Sequence, residues 1–180
     1  MRVLYVSITS LILAVVAVVG VYRLSGTGAV VESQVLAAVS TPKDKNVSFM
    51  IDEINQIRSG VGVTTLVFNP ELQPLTDFRT SDMATKYYYS HKTPDGYTYA
   101  NYISEYYPES TYSCENLQLQ VGGDFSNAVK SWVGSQSHYR CLTNPNVSNV
   151  AISYSMHGDP LYDANNQPRQ MYIFTFIASN

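Results

Sequence analysis

Charge is scarce in this sequence. Only 14% of the 180 residues are Asp, Glu, Lys or Arg, 45% are hydrophobic, and the formal net charge is −3. The 11 basic residues are scattered and form no run that could track a phosphate backbone, so nucleic acid is excluded as a partner. Histidine is equally sparse, with His91, His138 and His157 alone and no H-E-x-x-H among them. A local metalloprotease motif is therefore absent. Cys114 and Cys141 are the only cysteines. No serine stands in a G-x-S-x-G elbow, so a serine hydrolase of that type is not indicated either. Tyrosine is abundant, fifteen against six phenylalanines. Such rings combine an apolar body with a wet hydroxyl, which suits half-buried core and polar-rimmed pockets alike.

The one long apolar run is at the start. Val3 to Tyr22 carries no charge and lies between Arg2 and Arg23, long enough to cross a hydrocarbon layer as a helix. Residues 1–23 are expected to be an uncleaved membrane anchor, with a secretory signal as the alternative; Val18-Val19-Gly20 is a poor cleavage site. Either reading exports the remainder of the chain, leaving it membrane-anchored on the extracytoplasmic side or secreted. Residues 24–45, rich in Gly, Ser, Thr, Ala and Val, read as a flexible linker, and residues 46–180 as one folded domain.

Within that domain Met50, Ile54 and Ile57 share a helical face, and Gly60 is the expected stop. Asn69-Pro70-Glu71 is a helix start. The periodic residues Leu72, Leu75, Phe78 or Arg79, Met83 and Tyr87 continue that helix to about Tyr89, and Pro74 fits if the first turn is irregular and the regular helix begins near Gln73. His91–Gly96 is a loop, because Pro94-Asp95-Gly96 is turn chemistry. A short helix is expected within Tyr97–Tyr106, an extended segment over Glu115–Val121, and a helix through Phe125, Ala128, Val129 and Trp132. Asn149–Met156 and Gln170–Ala178 read as strands joined by a polar hairpin loop. Helices followed by a helix-interrupted antiparallel sheet give an α+β layered sandwich.

Few groups are suited to chemistry at neutral pH. Glu115 follows His91 by 24 residues and precedes His138 by 23, so only the fold can bring them together. Cys114 adjoins Glu115, and Cys141 lies three residues beyond His138. In an oxidising compartment two lone cysteines pair, and that bond would fasten the segment of Glu115 to the segment of His138. A staple serving the core alone accounts for the cysteines equally well. Trp132 is expected in the core, Arg140 beside a carboxylate, and His157 in solvent.

Asn55-x-x-Arg58, the Leu72–Met83 helix, Ser90-His91-x-x-Pro94-Asp95-Gly96, Glu115-Asn116-Leu117, Trp132-x-x-Ser135-x-x-His138-x-Arg140 and the Tyr172–Phe176 strand follow one another in order. Together they resemble the CAP superfamily, or SCP domain, which includes cysteine-rich secretory proteins, antigen 5 and pathogenesis-related class 1 proteins. The likeness is to its bacterial branch and spans about residues 48–178. It implies an α-β-α sandwich with a central antiparallel sheet and a cleft able to hold a divalent metal such as zinc.

By position the resemblance makes His91 and His138 metal ligands, and Glu115 with His138 the acid–base pair. Tyr89, Asn116 and Ser135 are placed along the same cleft. Ser135 stands where members outside bacteria carry a second glutamate, and Ser137 where the family commonly has glycine, so the full two-His, two-Glu set is absent. The expected function is binding of an envelope glycan, a lipid or a surface protein, with the membrane reached through the first segment. A metal-assisted hydrolase acting on peptide or cell-wall bonds is the alternative, and whether the site turns over any substrate is left open.

Overall fold

Side-chain parity along the strands sets the architecture. In the computed structural model, which describes residues 41–180, the order is α1 (Lys45–Gly60), β1 (Val67–Phe68), α2 (Gln73–Thr85), α3 (Tyr99–Tyr106), β2 (Ser113–Val121), α4 (Phe125–Gly134), α5 (Gln136–Leu142), β3 (Asn149–Met156), β4 (Leu161–Tyr162), β5 (Pro168–Arg169) and β6 (Met171–Ser179). The expected anchor over residues 1–23 and the linker up to residue 40 lie outside the described residues. No helix among the described residues is long and apolar enough to cross a membrane.

Successive strand residues face opposite sides. Phe174, Phe176 and Ala178 of β6, with Val150 and Ile152 of β3, pack against Met50 and Ile54 of α1 and Ala128, Val129 and Trp132 of α4. On the other side Ile173, Ile177 and Ala151 meet Leu72 just before α2, Leu75 and Met83 of α2, and Ile103 of α3. Both faces of the sheet are thus covered, which is why Met171–Ile177 reads as nearly continuous apolar sequence. The result is the expected three-layer α-β-α sandwich.

The sheet runs β1-β3-β6-β2. It is mixed rather than purely antiparallel, because the two-residue β1 lies parallel to β3 while β6 is antiparallel to both β3 and β2. The polar loop between β3 and β6 contains a small hairpin of its own, β4 with β5.

Several local outcomes differ from the sequence-based expectation. The long helix ends at Thr85 instead of Tyr89, since Tyr87 takes a left-handed φ of 55° that no helix continues through. Its start does agree with expectation: the regular part begins at Gln73, with Pro74 in the first turn where a missing N–H does no harm. The segment after Trp132 forms a second short helix, α5, that carries His138. Gly60 ends α1 as expected, but the left-handed turn residue is Gly62, at φ 76°.

The Asn55-x-x-Arg58 motif is a clamp on the loop after α1. Asn55 donates to the Leu66 carbonyl at 3.0 Å and accepts from the Leu66 N–H at 2.7 Å. Arg58 is fully buried and donates only to carbonyls, those of Thr64, Leu142, Asn144 and Val147. One side chain therefore joins the α1–β1 loop to the α5–β3 connection.

Cys114 and Cys141 form a disulfide with Cα atoms 5.8 Å apart, tying β2 to α5. It closes a sequence separation of 27 residues, which in the chain-entropy account stabilises the fold by about 3.5 kcal/mol. Replacing both cysteines by serine should lower the urea midpoint accordingly. A midpoint within error of the parent would show that the unfolded chain gains nothing from the crosslink.

Candidate functional site

The β2 strand determines which candidate residues meet. Cys114 and Asn116 face the α1/α4/α5 layer, whereas Glu115 and Leu117 face α2. Adjacent residues of one strand therefore serve opposite layers. Asn116 is buried and donates through its side-chain amide to the His138 carbonyl at 3.0 Å. With the disulfide one turn further on, this fixes α5 against β2. Asn116 is thus engaged by the α5 backbone and almost wholly enclosed.

Glu115 turns the other way and meets Arg79. The guanidinium Nε donates to Oε2 at 2.9 Å and Nη2 to Oε1 at 3.3 Å, and neither side chain has any exposed surface. Arg79 is held in turn by the Ser90 carbonyl at 2.9 Å and by the Tyr88 hydroxyl at 3.0 Å. Tyr88 donates to Asp82 at 2.5 Å, and Asp82 is paired with Lys86 at 2.8 Å. Burial first, then the hydrogen bond to Asp82, pushes the Tyr88 phenol up to about 12. The Tyr88 proton accordingly stays on the oxygen at any physiological pH.

At the other end of this chain of bonds is His91, whose Nδ1 lies 2.8 Å from Glu115 Oε1. Glu115 is paired to a guanidinium and has no proton to give, so Nδ1 carries the hydrogen and donates. In the neutral ring Nε2 is then the acceptor. The His91 side chain is 52% exposed, and Lys86 at the far end is half-exposed too, while Arg79 and Glu115 between them are enclosed. Two expectations drawn from different motifs, His91 and Glu115, are thus brought into direct contact.

His138 is not hydrogen-bonded to either of them. It lies close enough for the His91 charge to matter, and burial first and then His91 hold its imidazole below the ordinary value. A histidine whose folded pKa is depressed binds fewer protons than in the unfolded chain. Stability should therefore fall as pH drops below about 6.5, with the loss complete beneath the folded pKa and absent at pH 8. His138→Gln should flatten that part of the pH–stability curve. An unchanged slope between pH 5 and 7 would show that His138 titrates as a free histidine.

The remaining candidates divide. Burial, and to a smaller extent the Glu115 charge, raise the phenols of Tyr89 and Tyr99, and the Tyr99 hydroxyl donates to the Ser113 carbonyl at 3.3 Å. Tyr102, Tyr106 and Tyr107 instead line a separate apolar cavity of about 260 Å³ with Pro74, Leu75 and Phe78, and none of His91, Glu115 or His138 borders it. Ser135 joins α4 to α5, its hydroxyl 3.2 Å from that of Ser137. His157 departs from expectation: it is half-buried against the Tyr87 ring at 6.5 Å, and its Nδ1 has no partner. Arg140 departs as well, making no ion pair among the described residues.

Sequence reading missed Arg79. Its position allowed Phe78 or Arg79 on the buried face; the structure buries Arg79 and leaves Phe78 45% exposed. An arginine at a helical core position was the available signal, because a buried cation needs acceptors to compensate its lost hydration, and a carboxylate is one way to supply them.

The donor set does not fit a divalent metal. Glu115 already accepts three hydrogen bonds from Arg79 and His91 and is not free to coordinate, which leaves His91 only Nε2 to offer an ion. Among the described residues no group of three or more His, Cys, Asp or Glu side chains is placed to hold a metal ion.

A family model described as the cysteine-rich secretory protein family, CAP, matches residues 51–177. Two solved structures share the fold. An outer surface protein of Borrelia burgdorferi is 16% identical with a TM-score of 0.58, covering 78% of this chain and 97% of that one. An extracellular protein of Bacillus anthracis containing an SCP domain is 21% identical with a TM-score of 0.57. That match covers 77% of this chain and 45% of that one. No curated protein matches.

Proposed function

Because the chain belongs to the cysteine-rich secretory protein (CAP) family, we propose that its domain is an extracytoplasmic binding module. Its ligand is a neutral envelope component, a glycan before a lipid or a surface protein, held at His91 with Tyr89 and Tyr99 alongside. The observation that carries this reading is the half-exposed His91 imidazole backed by a wholly buried carboxylate. Such a group offers one fixed acceptor to a ligand hydroxyl or amide, and neighbouring aromatic rings suit the faces of a sugar. Location outside the cytoplasm rests on the disulfide, which persists in oxidising compartments, and on the surface and extracellular descriptions of the two structural relatives. Attachment to a membrane through residues 1–23 belongs to the same proposal.

Full-length protein should bind isolated envelope polysaccharide in a pull-down. His91→Ala should weaken that binding at least tenfold with the thermal midpoint little changed, since the ring is half in solvent. No binding to polysaccharide, lipid vesicles or envelope protein by the intact chain would end the proposal.

A second reading, hydrolysis, draws on the same carboxylate–imidazole pair. In it His91 is the proton acceptor and Glu115 its orienting partner. Glu115 itself has no exposed surface with which to touch water or substrate. Turnover of a peptide or cell-wall bond that disappears in His91→Ala would favour this reading over simple binding.

A further inference from the structure

The charge balance of the site contains its own cation. Arg79 and Glu115 are both fully enclosed and cancel one another, with guanidinium nitrogens at 2.9 and 3.3 Å from the carboxylate oxygens. Four of the five Arg79 donors are engaged, by Glu115 twice, Tyr88 and Ser90. It is therefore not a side chain that swings aside. A divalent ion beside His91 and His138 would meet two neutral imidazoles and no free carboxylate, and it would face the buried guanidinium across Glu115. Zinc sites need three or four protein donors, each deprotonated and available. Here a third is lacking.

We infer that Arg79 replaces a metal as the fixed cation of this site, and that the His91 site engages its ligand without any divalent ion. Arg79 is a positioning residue that never touches the ligand. It keeps Glu115 an ionised acceptor, Glu115 keeps the hydrogen of His91 on Nδ1, and His91 consequently presents the Nε2 lone pair outward. The ligand so selected brings a hydrogen-bond donor, such as a sugar hydroxyl or an amide N–H. A carboxylate or phosphate, which brings only acceptors, is refused by a neutral imidazole in this tautomer. This rests on the binding function proposed for His91 and adds the chemistry of its ligand.

The test uses full-length protein stripped with EDTA and kept at pH 8. Nitrogen NMR of the imidazoles should show His91 with its hydrogen on Nδ1, unaltered by stripping. Arg79→Met should lose that tautomer bias, and Arg79→Lys should restore part of it, a readout that mere loss of packing would not reverse. Zinc titrated by calorimetry should bind the parent no more than threefold tighter than it binds His91→Ala or His138→Ala. A drop in zinc affinity of tenfold or more in either variant would overturn the inference, as would an unchanged His91 tautomer in Arg79→Met. Should Arg79→Met fail to fold, the zinc comparison on the parent, His91→Ala and His138→Ala decides by itself. Envelope binding abolished by EDTA and recovered with zinc would also sink the inference while leaving the binding function standing. Zinc-insensitive imidazoles in a protein that binds no envelope fraction would do the reverse.

Discussion

Arg58→Met should cost about 4 kcal/mol of folding stability, because it strands several buried carbonyls at once. The guanidinium donates to Thr64 at 2.7 Å, Leu142 at 2.6 Å, and Asn144 and Val147 at 3.1 Å, with no carboxylate partner among the described residues. Burial lowers the pKa of this arginine, yet a guanidinium stays charged, and the ring of carbonyl dipoles is what stabilises it. Methionine fills a similar volume but supplies no donor. The four oxygens lose a shared partner, and the loops after α1 and α5 lose their common anchor. Arg58→Lys keeps the charge with a compact ammonium that cannot reach four diverging acceptors, so it should recover only part of the loss. Denaturant unfolding with an unchanged m-value is the measurement. A loss under about 1 kcal/mol would mean that water replaces the arginine at these carbonyls.

Glu115→Ala should be comparably severe, at about 3–5 kcal/mol, for a different reason. It leaves the Arg79 guanidinium enclosed and without its counter-charge, and an uncompensated buried charge is among the costliest single defects. The signature is recovery. The double variant Arg79→Met/Glu115→Leu removes both charges and should be more stable than Glu115→Ala alone, giving a strongly non-additive double-mutant cycle. On the proposed binding function, the double variant should still lose its ligand, since His91 no longer has a carboxylate at Nδ1. If Glu115→Ala and Arg79→Met prove additive, the two side chains are not the coupled pair that the 2.9 Å contact describes.

Most of the layer order is readable from residue spacing. The spacing of Met50, Ile54 and Ile57 asks for a helix, and the short run Met171–Ile177 reads as a strand through its length and its aromatic and β-branched content. Boundaries failed where a single backbone choice mattered. Tyr87 leaves the helix with a left-handed φ that its apolar spacing does not betray, and His138 sits on a helix of only seven residues, too short for a periodic signal. The expected antiparallel sheet is mixed because β1 contributes just two residues, Val67 and Phe68. So brief a strand takes its direction from its neighbour rather than from its own pattern.

The sequence by itself determined the family motifs, the paired cysteines and the short roster of reactive side chains, since these depend on residue identity and order. Tertiary structure alone decided how that roster was spent. Because neighbouring strand residues point to opposite layers, Asn116 went to the His138 helix and Glu115 to α2, where Arg79 was waiting. No spacing within 180 residues reports which cation a buried carboxylate meets, for that is fixed by packing between segments far apart in the chain.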